Sequence, residues 1–432
     1  MRRYLLIILA LTASLTLSAQ KDVPAVAHPG IGETLDTPSL RLRFIGRKQN
    51  YQPNGPSRDE DVRSPKSVNI HPSGEKYYVN SLEGSRTVVF DFATGAKLKV
   101  IHHDITHAHA ALWAPDSGLF PFSYQHDKPK VFTGKPVESV FTHGGRYLWV
   151  PYYRRSYDLN AQDPSAMAVI DTESDEIVRL FETGPLPKMV AVSPDGRHVA
   201  VTHWGNNTVG ILDISSDAVE QWHYLACHVV DYALKLNFSR TVPVDRDTNS
   251  GYCLRGTVFT PDNRYLLVGC MGGGGGIAVI DLEQGRYLGR VLGAMANLRH
   301  LVLADGYLYA SINRSGHVQR IALQDFLAAA ATLDGERCKS VRVQDWTNAK
   351  VPAGARTIVL SPDGRYVFAA CNYASCIAVV DARQMKLLGT LPADSYPVGL
   401  DISADGRYLF STSQGRRGLG GNAVDIFEVD YL

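Results

Sequence analysis

The chain has 432 residues, enough for two or three ordinary domains or for one large repetitive fold. With 45% hydrophobic and 20% charged residues it can bury a core, which excludes a disordered chain. Lys and Arg total 44 against 43 Asp and Glu, so no global field calls for nucleic acid or an anionic membrane surface, and no nucleic-acid partner is expected.

Residues 1–20, MRRYLLIILALTASLTLSAQ, place Arg2 and Arg3 before an apolar stretch from Leu5 to Leu17 and small residues near Ala19. That order predicts a secretory signal peptide, hence an exported protein, periplasmic or at the cell surface. No later run of 18 apolar residues occurs, so no transmembrane segment is expected beyond it. Residues 21–65 form an N-terminal segment in which 39–47, SLRLRFIGR, alternates apolar and polar like a strand.

From Lys66 to the C-terminus a phrase recurs. It reads KSVNIHPSGEKYYVNS from Lys66, KMVAVSPDGRHVAVTH from Lys188, RGTVFTPDNRYLLVGC from Arg255, RTIVLSPDGRYVFAAC from Arg356 and VGLDISADGRYLFSTS from Val398. Weaker copies begin at Glu138 and Arg299, making seven, with intervals between turns of 42 to 71 residues. Each copy is an alternating strand, a polar turn and a second strand. Pro presets φ in the turn, Asp caps it locally and Gly supplies positive φ. A third strand ending in Asp follows (Asp91, Asp171, Asp213, Asp281, Asp381), then a fourth. Four antiparallel strands in about 40–45 residues make one blade of a β-propeller. The expected fold is therefore all-β: a seven-bladed propeller over 66–432. Strand 39–47 completes the last blade by pairing with 422–429, because the chain ends after only three strands of that copy.

VTHWGNNTVGILD, residues 201–213, resembles the signature of the YVTN family of seven-bladed propellers, which includes YncE-like exported and surface-layer-associated proteins. The resemblance covers roughly residues 60–430 and implies the fold; His203 stands where that family usually has Asn.

Three insertions, 104–137, 151–167 and 223–254, fall in connections on one face, the top, and a fourth at 324–335 reads as a short helix on the bottom. The first residue of the innermost strand is basic in five copies (Lys66, Lys188, Arg255, Arg299, Arg356), acidic in one (Glu138) and apolar in the last (Val398). Sevenfold closure gathers these positions at the top mouth of the axial channel, where like charges want an anion or an acidic partner. The second strands end at the same mouth and are expected to bring Tyr152, Tyr153, His203, Trp204, Asn313, Arg314, Asn372 and Tyr373 to it. The expected ligand is an anionic small molecule, a glycan or a peptide.

His102, His103, His107 and His109 share one loop, and His103, His107 and His109 are the candidates for a metal, against the plainer reading of an ordinary loop. No CxxC, HExxH or GxSxG occurs, and MGGGGG at 271–276 lacks the Lys and Ser/Thr of a phosphate loop. Cys227 and Cys253 bracket the insertion at 223–254 and are the expected disulfide; Cys371 and Cys376 face one another across a hairpin. The first functional reading is a non-enzymatic binding propeller, with an envelope protein as the alternative partner. The second is a propeller hydrolase or lactonase, metal-assisted in one version. The sequence leaves the cofactor, like the ligand, unnamed.

Overall fold

The recurrent turn is built as its residues require. In four copies the Ser or Thr before the turn donates to the turn Asp, at 2.6 Å in Ser193–Asp195, Ser361–Asp363 and Ser403–Asp405 and 2.5 Å in Thr260–Asp262. That carboxylate also accepts the backbone N–H of the following Arg. All seven turn positions, Asn263 among them, have φ between 59° and 106°, the region Gly and Asn tolerate. The Asp ending each third strand caps the next turn: Asp91, Asp281 and Asp381 accept from the N–H three residues on, Asp171 and Asp213 from the N–H two on.

The computed structural model describes residues 30–50, 59–120, 128–336 and 339–432. The expected signal peptide at 1–20 and Cys338 lie outside them. Seven antiparallel sheets follow one another around an axis. Their innermost strands are Pro65–Ile70, Val140–Thr142, Pro187–Val192, Leu254–Phe259, Leu298–Ala304, Ala355–Leu360 and Pro397–Ile402, defining blades 1 to 7. One buried apolar cluster fills each of the seven seams between neighbouring blades. Leu40–Gln49 pairs antiparallel with Ala423–Tyr431 from Leu40↔Tyr431 to Gln49↔Ala423, closing the ring as expected. Leu40, Leu42 and Phe44 alternate into the seam of blades 6 and 7.

The helix expected near 324–335 is Leu323–Ala330; it buries Phe326 in the seam of blades 4 and 5. The chain then adds Ser340–Arg342 in parallel to the outer strand of blade 4 before returning to blade 5, an edge strand too short to be seen in the sequence.

The Cys227–Cys253 disulfide is corrected: both are free thiols. Cys227 lies on the outermost strand of blade 3, opposite Gly210, whereas Cys253 immediately precedes the innermost strand of blade 4 and packs on Leu186 and Trp204. The loop crosses a whole blade, about 14 Å at three strand spacings, beyond the Cα separation of about 7 Å that a disulfide spans. Cys371 and Cys376 do stand opposite each other in register, and both are thiols.

Candidate functional site

At the top mouth a cup of about 420 Å³ is lined by Lys66, Lys188, Arg255, Arg299 and Arg356 with Trp204, Tyr153, Tyr373 and Tyr396. The five expected cations are thus brought together. Glu138 lies between two of them: Oε1 is 3.2 Å from Lys66 Nζ and 2.9 Å from Arg255 Nη2. The seventh position, Val398, is buried and contributes no charge.

Among the described residues, Lys188, Arg299 and Arg356 make no ion pair. Aromatic faces hold the first two instead. Lys188 Nζ is 4.2 Å from the Tyr153 ring centroid and 5.4 Å from that of Trp204; Arg255 and Arg299 each sit 5.8 Å from the Trp204 ring. The Nε atoms of Arg299 and Arg356 are buried without a hydrogen-bond partner. Burial, and then the neighbouring guanidinium of Arg255, pushes Lys188 down to about 7. Burial and Arg356 push Arg255 down to about 9 and Arg299 to about 10. Burial and Arg356 hold Lys66 well below the usual lysine range. Burial raises the Glu138 carboxyl, yet Lys66 and Arg255 draw it below its ordinary value. The cup is a concentrated positive charge short of acid, the condition under which an anion is held by charge-assisted hydrogen bonds.

The insertions make the wall. Trp204 Nε1 donates to Arg246 O at 3.1 Å, and Arg246 in turn donates to the carbonyls of Asn160, Ala161 and Gly205. Asn160 Nδ2 reaches Ser239 O at 2.7 Å. The loops at 151–167 and 223–254 are thereby stapled together behind Trp204. They also supply Asp247, a wall residue that the sequence reading missed.

Several expected residues lie elsewhere. Tyr152 is buried in the seam of blades 1 and 2, its hydroxyl 3.0 Å from His103 Nδ1. His203 is buried, with Nδ1 2.8 Å from Thr208 Oγ1 and its ring edge-on to Phe120; burial pushes it down to about 3, so it is neutral. Asn313 and Asn372 bond to each other at 3.3 Å behind the mouth, and Arg314 and Tyr373 take the exposed places. The reason is strand parity. Successive side chains point to opposite sides, so where Tyr152 and His203 enter the seam their neighbours Tyr153 and Trp204 turn to the cup; Leu82 and Gln414 hold the same repeat position and also line it, whereas Asn313 and Asn372 at that position turn behind the mouth. Tyr153 and Trp204 were expected there; Leu82 and Gln414 were not, and aligning the repeats on Trp204 would have found them.

The metal candidates are not brought together. His103 is buried between Thr87 and Tyr152, and His109 caps its own 3-10 turn by accepting from Thr106 N–H at 3.0 Å. Among the described residues no group of three His, Cys, Asp or Glu side chains could hold an ion. No helix among them is long and apolar enough to cross a membrane.

A family of seven-bladed β-propellers described as lactonases matches residues 157–430, blades 2 to 7, and the chain belongs to it. The chain is 26% identical over 248 residues to hydrazine synthase subunit beta of Kuenenia stuttgartiensis, covering 50% of this chain and 59% of that protein. It is 33% identical over 144 residues to a 6-phosphogluconolactonase of Sodalis glossinidius, covering 31% and 40%. The matches thus span about half the length of these relatives. Among solved structures, Kuenenia stuttgartiensis hydrazine synthase superposes with a TM-score of 0.58 at 14% identity, covering 88% of this chain and 99% of that one. The propeller domain of Myceliophteria thermophila Cps50 (Swd1) gives 0.57 at 12%, covering 85% and 97%. At these identities the likeness is one of fold.

Proposed function

We propose that the cup binds a small anion through a carboxylate or phosphate group, and that the protein is exported through residues 1–20 to meet it, as YncE-like propellers are. One observation carries this reading: three cations, Arg356 buried and Lys188 and Arg299 partly buried, converge on the cavity and make no ion pair among the described residues, with Asp247 and Glu83 the carboxylates in its lining. Each charge-assisted contact contributes about 1.5–3 kcal/mol, so two or three reach micromolar affinity after association costs. Inorganic phosphate, gluconate and 6-phosphogluconate are the probes for calorimetry on the full chain. Arg255→Ala with Arg356→Ala should weaken binding about a hundredfold without loss of the fold. A double variant that binds as tightly as the wild type would move the site to the outer loops. N-terminal sequencing of exported material tests the leader; a chain still beginning at Met1 would refute it.

A second reading, lactone hydrolysis in the same cup, is favoured by membership of the lactonase family and by Lys188. An uncharged Lys188 amine accepts the proton of a water that adds to the lactone carbonyl. The arginines stabilise the tetrahedral oxyanion, and as it collapses the ring C–O bond breaks while the Lys188 ammonium returns its proton to the leaving alkoxide, giving the hydroxy acid. A panel of sugar lactones, with and without chelator, tests it. Turnover lost in Lys188→Met with ligand binding retained supports it; binding without turnover in the wild type leaves the protein a binding propeller.

A further inference from the structure

Beside the cup, and sharing Asp247, Arg299 and Tyr373 with it, a second and larger cavity of about 710 Å³ opens over blades 4 and 5. Its chemistry differs. Met271, Met295 and Ala296 supply an apolar wall, and Arg314 and Ser315 rim its outer end. Thioether side chains are flexible and polarisable, and they mould to an aliphatic or aromatic body. The shared wall carries one carboxylate, Asp247, beside the Arg299 guanidinium. A ligand leaving the cup for the cleft therefore passes an acceptor that seeks an N–H or O–H donor.

We propose that the cup and the cleft form one site for an amphiphilic anion: a carboxylate or phosphate head in the cup, a hydrogen-bond donor beside it facing Asp247, and an uncharged arm lying over Met271 and Met295. This rests on the anion reading of the cup and adds the arm to it. Three features order the ligand from head to arm: the cations lie on the axis, the carboxylate lies at the junction and the methionines lie beyond it. A compact anion such as phosphate fills only the smaller of the two volumes. The wild-type ligand is accordingly larger than the head group the cup alone would select.

N-acylglycines of two to ten acyl carbons carry this order of groups, and calorimetry on the full chain with that series, inorganic phosphate and decanamide tests it. Affinity should rise roughly three- to fourfold per methylene over the first several carbons, and decanamide, which lacks the head, should not bind. Ala296→Trp, which fills the cleft, should abolish the chain-length dependence, and independently Met271→Ser with Met295→Ser, which makes its wall polar without adding charge, should reduce the increment per methylene, each read against N-acetylglycine in the same variant. Arg255→Ala with Arg356→Ala should weaken every acylglycine alike and keep the increment per methylene. A flat series with N-acetylglycine still bound overturns the arm and leaves the anion reading intact. Decanamide binding as tightly as N-decanoylglycine overturns the link between the two cavities. Failure of phosphate and every acylglycine to bind overturns both readings.

Discussion

Lys188 is held between two aromatic faces and among arginines, and its properties set the response of the cup to pH. With its amine pushed down to about 7, it gains a proton as pH falls through that value and adds a cation to the cup. Affinity for a carboxylate that stays ionised throughout, such as N-acetylglycine, should rise between pH 8.5 and 6. Lys188→Met should flatten that rise in calorimetry. The effect on stability has the opposite sense. The folded value lies below the unfolded one of about 10.4, so the folded state holds fewer protons between the two. Lys188 therefore destabilises the fold fully below about pH 7, and this loss is relieved as pH rises from 7 towards 10.5. Glu138 is the counterpart. Glu138→Gln removes the carboxylate shared by Lys66 and Arg255, and breaking such a buried pair costs about 3–5 kcal/mol. Denaturant unfolding should register that loss, while calorimetry should find anions bound more tightly.

At the level of elements, the ring depends on the strand that closes it. Phe44 packs at 5.6 Å from Phe427 in the last seam, and Phe44→Ala should cost about 3–5 kcal/mol in denaturant unfolding. Deleting residues 21–48 should lower the melting temperature of the whole propeller, since it leaves an unpaired edge along Ala423–Tyr431; an unchanged value would contradict closure. The parallel edge strand of blade 4 has its own requirement. Gly293 has φ of 127°, and a Cβ there would meet the carbonyl oxygen of Val343 at 1.9 Å. Gly293→Ala should release Ser340–Arg342 and raise amide exchange in that strand, leaving the seven inner strands protected.

For the whole molecule, the near-neutral total charge hides a local excess on the axis. Affinity at the cup should fall with added salt, and less steeply in Arg255→Ala with Arg356→Ala. Non-reducing peptide mapping should recover Cys227 and Cys253 as separately alkylated thiols. A bridged peptide would contradict their radial separation.

Seven blades, the closing strand and the basic ring were legible in the chain because each rests on a local rule repeated at one position. A tight turn needs Gly or Asn at positive φ, a strand alternates, and a ring of equivalent positions must converge on its axis. Which of Tyr152 and Tyr153, or of His203 and Trp204, faces that axis was decided by the parity with which each second strand enters its seam, and packing against the neighbouring blade sets that parity. Tertiary structure alone also placed Asp247 in the wall, through the Arg246 staple joining two loops far apart in sequence, and set Cys227 at the outer edge of blade 3 and Cys253 at the inner edge of blade 4. The sequence by itself determined the ring and the charge at its mouth, because both follow from repetition; only the tertiary structure decided the walls of the site, because they are made by long loops whose positions depend on contacts between different blades.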